Sequence, residues 1–465
     1  MATRASRRFM GTLKGRLMSS QAATAQSEAG VNLTKQAPKL TKLPNGMIVA
    51  SLENYSPLSS VAVVVNAGSR FESGDNLGVT HCLRAAAGLS TQKASQFKIT
   101  RGIQQIGGNL MCSTSREYMS YSSDCTRDNV DEVVELLREV TTGPSYKPWE
   151  LSDLQSKLDL DLAILETQPQ VRLFELLHQA AFRNTLGRSV YAPQFMVGKY
   201  SPEQLLHYVK NYFTGERMAL VGAGVDHDVL VNLAKKFTPF SSAGAASELA
   251  QYHGGGEIRV ANDGPLTYAA VAVEGPSCRP RNQGTRGLAA KELLPVGVLQ
   301  NIMGTGPFIK YSPNTTVSKL GQAVSGACSQ PFAVTCLNAN YTDGGLFGFS
   351  AVAQPDEIGQ VLRAAFNQFA SVTKGVTDQE VARAKNQLKA TVLMANESQA
   401  GVMADLGEQA LGHQQIIPVE EVTRMIDAIT TADVVNVAKR MINGKPSMAA
   451  VGNLSGTPYL DELYK

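Results

Sequence analysis

The sequence predicts an α+β protein made of two homologous sandwich halves joined by a linker, and three observations predict it. The first is a repeat. Met218-Ala-Leu-Val-Gly222 returns as Met448-Ala-Ala-Val-Gly452, an offset of 230 residues. The same offset joins Glu150-Leu-Ser-Asp-Leu154 to Glu380-Val-Ala-Arg-Ala384, Leu158 to Leu388, and Ser201-Pro-Glu203 to Thr431-Ala-Asp433. Several strings in one order at one spacing indicate a domain duplication, since solenoid periods are far shorter. The second is element order: each copy groups strands and helices without strict alternation, which argues for a sheet with helices on one face. The third is the small, polar, glycine-rich stretch 241–256, a linker between residues 39–240 and 257–465.

Residues 1–38 come before the repeat. No acid precedes Glu28, while Arg4, Arg7, Arg8, Lys14 and Arg16 supply positive charge. Phe9, Met10, Leu13 and Leu17 could share one side of a helix, the pattern of a mitochondrial transit peptide. Cleavage is expected after Met18. In the first half, 47–52 and 61–66 read as strands and 109–124 as an alternating hairpin. Val130, Val133, Val134, Leu137 and Val140 fall at helical spacing, and a helix follows over 149–165. The second half repeats the plan: strands over 257–260 and 268–273, a hairpin over 332–353, and Val361, Leu362, Ala365, Phe366 and Phe369 on a helix. Ser201 and Thr431 are expected to cap the helices that lead into the two Met-Ala-x-Val-Gly strands. Ser277 to Gly287 is basic and turn-rich, and Pro295 should interrupt any helix over 288–303, so that helix is expected to begin at Pro295.

Composition narrows the function classes. A hydrophobic fraction of 43% and a charged fraction of 18% are globular values, and no apolar run is long enough to cross a membrane. The net charge of +3 comes from the leader, whose five cations removed leave −2, so there is no electrostatic footprint for nucleic acid. Six cysteines form no C-x-x-C pair and read as buried thiols in a reducing compartment.

One stretch looks like chemistry. Asn76-Leu-Gly-Val-Thr-His81-Cys-Leu-Arg84-Ala85 opens a helix after a strand and a polar turn. A zinc hydrolase of the H-x-x-E-H type needs two imidazoles one helical turn apart and a carboxylate between them. Here only His81 is present: Arg84 holds the carboxylate position and Ala85 the second imidazole position. An arginine cannot accept the proton and an alanine cannot ligate the metal.

At these residues the sequence resembles the pitrilysin and mitochondrial-processing-peptidase family, whose inverted zinc-site helix Gly78, His81 and Leu83 match. The resemblance runs from about Lys39 to the C-terminus and implies two processing-peptidase-like halves related by pseudo-symmetry. The stretches 43–55, 67–70, 97–102, 345–349, 447–450 and 452–454 resemble, within the family, the non-catalytic core subunits of mitochondrial ubiquinol–cytochrome c reductase, respiratory complex III.

The resemblance implies no catalytic residue, no metal and no cofactor. It implies a peripheral place on the matrix side of the inner membrane and a role in assembly and stability. It also implies a heterodimer with core protein 1 and contact with cytochrome b, the c-type cytochrome and the Rieske protein, and leaves open whether a presequence peptide is retained. The family's third ligand, a glutamate on a later helix, falls near Ser156, with Glu150 and Glu166 read as solvated helix surface.

The rival is a presequence-binding alpha-type subunit of the processing peptidase. That reading needs a full glycine-rich loop, and Gly304-Thr-Gly306 is short and followed by Pro307. Gly254-Gly-Gly256 lacks G-K-[ST] and reads as linker. Asp226-His-Asp228 reads as a helix cap, and His178 as a packed or surface histidine.

Overall fold

The computed structural model describes residues 36–242, 248–278, 289–306, 316–412 and 414–463. The transit-peptide and cleavage expectations, and 279–287 of the basic segment, lie outside the described residues.

The first sheet contains β1 (Lys39–Lys42), β2 (Ile48–Leu52), β3 (Leu58–Val65), β4 (Met111–Thr114), β5 (Met119–Thr126) and β6 (Met218–Ala223), in the order β1-β2-β6-β3-β5-β4. The second contains β7 (Glu257–Ala261), β8 (Thr267–Glu274), β9 (Ala333–Asn340), β10 (Gly345–Ala353) and β11 (Ser447–Gly452), in the order β7-β11-β8-β10-β9. Without β1, which has no counterpart, one order maps onto the other strand for strand. Each sheet has a single parallel pair, β2 with β6 and β7 with β11, at equivalent places. The repeat in the sequence is therefore a repeat in space.

The first-half helices are α1 (Val79–Ala85), α2 (Gln96–Gln105), α3 (Val130–Thr142), α4 (Pro148–Glu166), α5 (Pro169–Phe182), α6 (Pro202–Tyr212) and α7 (His227–Ala234). In the second half come α8 (Ala289–Met303), α9 (Lys319–Ser325), α10 (Ile358–Ser371), α11 (Asp378–Glu397), α12 (Gln399–Gly412), α13 (Val419–Ala428), α14 (Thr431–Ile442) and α15 (Leu460–Leu463). Among the described residues, no helix is long and apolar enough to cross a membrane.

The expectation of helices on one sheet face is corrected. Each sheet carries helices of its own half on one face and a helix of the other half on the opposite face. On β6, Met218 and Leu220 join the core of their own half, while Ala219, Val221 and Ala223 pack with Val402, Met403 and Leu406 of α12. On β11, Met448 and Ala450 face their own half, and Ala449 and Val451 pack with Leu173, Leu177 and Ala181 of α5. Burial on both faces explains why both strands are buried along their whole length and do not alternate apolar with polar residues. The small alanines on the exchanged face let the visiting helix approach.

The hairpin turns meet between the halves. Each is closed by a backbone bond across four residues, Ser115 N to Tyr118 O and Tyr341 N to Gly344 O, both 2.8 Å. Arg70 joins them, donating to Glu117 of the first turn and to Asp343 Oδ1 and Oδ2 of the second at 2.9 and 2.7 Å. The Glu117 carboxylate in turn accepts from Thr342 N and from its hydroxyl at 2.5 Å. Arg70 and Glu117 are buried. The stretch read as a linker is pinned as well: Ala250 N donates to Asp343 at 2.8 Å and His253 N to Ala181 O at 2.9 Å.

Two further expectations are corrected. Helix α8 runs straight through Pro295. A mid-helix proline costs about 3 kcal/mol, but Val296, Val298, Leu299, Ile302 and Met303 beyond it are fully buried, at roughly 1.5–3 kcal/mol each. Core burial outweighs the lost hydrogen bond. Helix α14 is capped by Thr430, one residue before Thr431, through a capping box with Asp433. Its counterpart α6 has the expected cap, Ser201 boxed with Gln204.

Candidate functional site

Helix α1 is anchored from its N-terminal end. Gly78 caps it at φ +77°, and a Cβ there would come within 2.4 Å of Ala192 Cα, so both conformation and space call for glycine. The buried Glu72 carboxylate accepts from Gly78 N at 2.7 Å, Thr80 N at 3.0 Å and the Thr80 hydroxyl at 2.7 Å. Three donors at a helix N-terminus favour the carboxylate, yet complete burial is the larger effect and raises its pKa to about 7.

His81 is fully buried. Its Nδ1 accepts the Ala192 backbone N–H at 3.1 Å, which fixes the tautomer: Nε2 carries the proton and donates to Asp161 Oδ2 at 3.1 Å. Arg84 donates to the same oxygen at 2.9 Å and lies over the Tyr191 ring, 5.8 Å from its centroid. Burial lowers the His81 pKa, with Arg84 adding to the effect and Asp161 opposing it, so the imidazole is neutral at physiological pH. The Ala85 carbonyl, at the end of α1, accepts from Lys157 Nζ at 3.4 Å.

Zinc does not fit these residues. A metal needs an imidazole lone pair, and the one on His81 is taken by Ala192 N–H. The Asp161 oxygen nearest His81 is held by a guanidinium, and Ala85 offers a methyl group. Among the described residues, no group of three His, Cys, Asp or Glu side chains could hold a metal ion.

Of the residues singled out in the sequence, the structure brings together His81, Arg84 and Ala85. Ser156 is not with them: it is exposed, and the residue of α4 that reaches His81 is Asp161. The register explains the correction. Leu154 and Leu158 are the buried stripe of α4, and Asp161 continues it at i+7 from Leu154, whereas Ser156 points the other way. Glu150 is not solvated surface; it is buried, accepting the Ser90 hydroxyl at 2.5 Å and Ser90 N at 3.2 Å.

His178 is buried between the halves, its Nδ1–H donating to Phe174 O at 2.7 Å and its Nε2 accepting the Tyr341 hydroxyl at 2.8 Å. Asp226 caps α7 as expected, and His227 bonds Thr41 and Ser51, both at 2.8 Å. Gly304 follows the end of α8, and its carbonyl accepts Cys336 N at 2.7 Å. Beside Ala85 opens a cleft of about 750 Å³, lined by Arg84, Ala85, Ile99, Leu154, Lys157 and Asp161 among others.

Comparison with known proteins adds the family. The profile described as "Insulinase (Peptidase family M16)" matches residues 48–194, and "Peptidase M16 inactive domain" matches 199–388. The chain is 42% identical over 436 residues to "Cytochrome b-c1 complex subunit 2, mitochondrial" of Homo sapiens, covering 94% of each chain. To the protein of the same name in Mus musculus it is 42% identical over 442 residues, 95% of each. It is 29% identical over 430 residues to "Mitochondrial-processing peptidase subunit alpha" of Solanum tuberosum, covering 91% of this chain and 84% of that one. Two interlocked copies of one α+β plan, both matched by M16 profiles and aligned almost end to end with such relatives, place the chain in the M16 peptidase family.

Proposed function

We propose that this chain is a non-catalytic structural core subunit of mitochondrial ubiquinol–cytochrome c reductase, respiratory complex III, of the core protein 2 type. The observation that carries this reading is the 42% identity over 94% of both lengths to a cytochrome b-c1 complex subunit, against 29% to a processing-peptidase alpha subunit. The site geometry supports a pseudo-peptidase. His81 has no free lone pair, Arg84 stands where the general base belongs, and Ala85 stands where a ligand belongs.

In this reading the chain sits peripherally on the matrix side of the inner membrane and pairs with core protein 1. It contacts cytochrome b, the c-type cytochrome and the Rieske protein, holds no cofactor, and serves assembly and stability of the complex. Without a membrane-crossing helix among its described residues, it would be held by membrane-embedded partners.

Blue-native electrophoresis of mitochondria tests the placement: the chain should migrate with cytochrome b and the c-type haem. Migration as a soluble matrix heterodimer that captures presequences would instead select the processing-peptidase alpha reading. Zinc analysis of the purified chain tests the chemistry, and one zinc per chain would overturn it.

A further inference from the structure

The turn from α14 into β11 carries an asparagine followed by a glycine, Asn443-Gly444, and the chain has one other such pair, Asn45-Gly46. A glycine on the C-terminal side leaves its peptide nitrogen open to the asparagine side chain, because no Cβ stands in the way. What then decides the chemistry is how firmly the side-chain amide is held.

At position 45 it is held at both ends. Asn45 Nδ2 donates to Phe237 O at 3.4 Å, and Oδ1 accepts Met47 N at 3.1 Å. The turn around it is closed by Leu43 N to Met47 O at 2.8 Å and by Gly46 N to Leu43 O at 3.0 Å. At position 443 the side chain is exposed and, among the described residues, has no hydrogen-bond partner. Gly444 N donates to Met441 O at 3.0 Å, a bond of the last helical turn, where helices fray.

The same turn is a point of attachment. Met441 and Met448 on either side of it are buried. The Tyr252 hydroxyl donates to Lys445 O at 2.6 Å, and Gly255 N donates to Pro446 O at 2.8 Å. A Cβ on Gly254 would come within 2.8 Å of Lys445 O, so the two backbones are already close.

We infer that Asn443 is a site of spontaneous deamidation, and that the isoaspartate formed there loosens the tie between residues 252–256 and the turn. Gly444 N–H gives up its proton and the nitrogen attacks Asn443 Cγ. The Cγ–Nδ2 bond breaks, and the proton leaves on the departing ammonia. Water then opens the resulting succinimide, its hydroxyl going to a carbonyl carbon and its hydrogen to the nitrogen. Opening at Cγ gives aspartate; opening at the backbone carbonyl carbon gives isoaspartate, with the chain now running through Cβ. One water is consumed, one ammonia is released, and nothing is oxidised or reduced. The added backbone methylene lies between two buried methionines, so a turn lengthened in this way cannot keep both bonds to 252–256.

Ageing of the full chain in mildly alkaline buffer, followed by digestion and mass spectrometry, tests the site. The product should carry heavy oxygen when the water is enriched in it. The peptide with Asn443 should convert about ten-fold faster than the peptide with Asn45, whose side-chain hydrogen bonds must first break. In denaturant the two rates should converge, and Asn443→Gln should remove the product at that position. Equal or faster conversion at Asn45 in the folded chain, or an intact Asn443 there while the denatured chain converts it, would overturn the site. Amide exchange over 252–256 tests the loosening. It should rise in the isoaspartate fraction and stay unchanged in Asn443→Asp, which adds the charge without the methylene. Exchange unchanged in both, or raised equally in both, would overturn that part of the inference.

Discussion

Asp161 ties α1 to α4, accepting from both His81 and Arg84 through one carboxylate oxygen. Removing it leaves the buried His81 Nε2–H without an acceptor, a loss of about 1–3 kcal/mol. Asp161→Ala should lower the stability measured by denaturant unfolding by that amount, without changing zinc content. His178 gives a pH signature. Burial depresses its pKa to about 3, below the roughly 6.5 of an unfolded histidine. The unfolded chain therefore binds the proton first as pH falls, so this contribution is whole above about 6.5 and lost between there and about 3. The loss is about 1.4 kcal/mol per pH unit. His178→Gln should flatten the fall in stability between pH 6.5 and 5; an unchanged slope would show that other groups set it. At this scale the sequence was half legible. His81, Arg84 and Ala85 lie in one contiguous string. Asp161 lies 80 residues away in the chain, and only the helical register of Leu154 and Leu158 could have pointed to it.

Most elements were legible because hydrophobic period and capping chemistry are local. The two hairpins, the strands of both halves and the α3 and α10 stripes all appear where the periodicity put them. Two departures have a common cause. The helix over 288–303 should have begun at Pro295, and each sheet should have carried helices on one face only; in both cases the burial of distant apolar side chains outweighed the local rule. Leu406 of α12, 3% exposed against the first sheet, gives the test. Leu406→Ala should cost about 2–5 kcal/mol, as large-to-small core changes do. It should also raise amide exchange in β6, although the two positions are nearly two hundred residues apart in sequence. Exchange rising only within the second half would argue that the helix exchange adds little.

Across the whole molecule the halves are welded where their hairpin turns meet at Arg70. A buried guanidinium with two carboxylates is costly to break one-sidedly, about 3–5 kcal/mol when a partner is removed. Asp343→Asn should therefore destabilise both halves in one transition, with exchange rising together at 115–118 and 341–344. Two separated unfolding transitions would instead show that the halves are independent. The duplication and the α+β class were determined by the sequence itself, because they depend on repeated strings and on the order of locally readable elements. Which helix covers which sheet, which carboxylate meets His81, and the cleft beside Ala85 were decided only by the tertiary structure. Each is a contact between segments far apart in the chain, chosen by burial and charge pairing that no local pattern encodes.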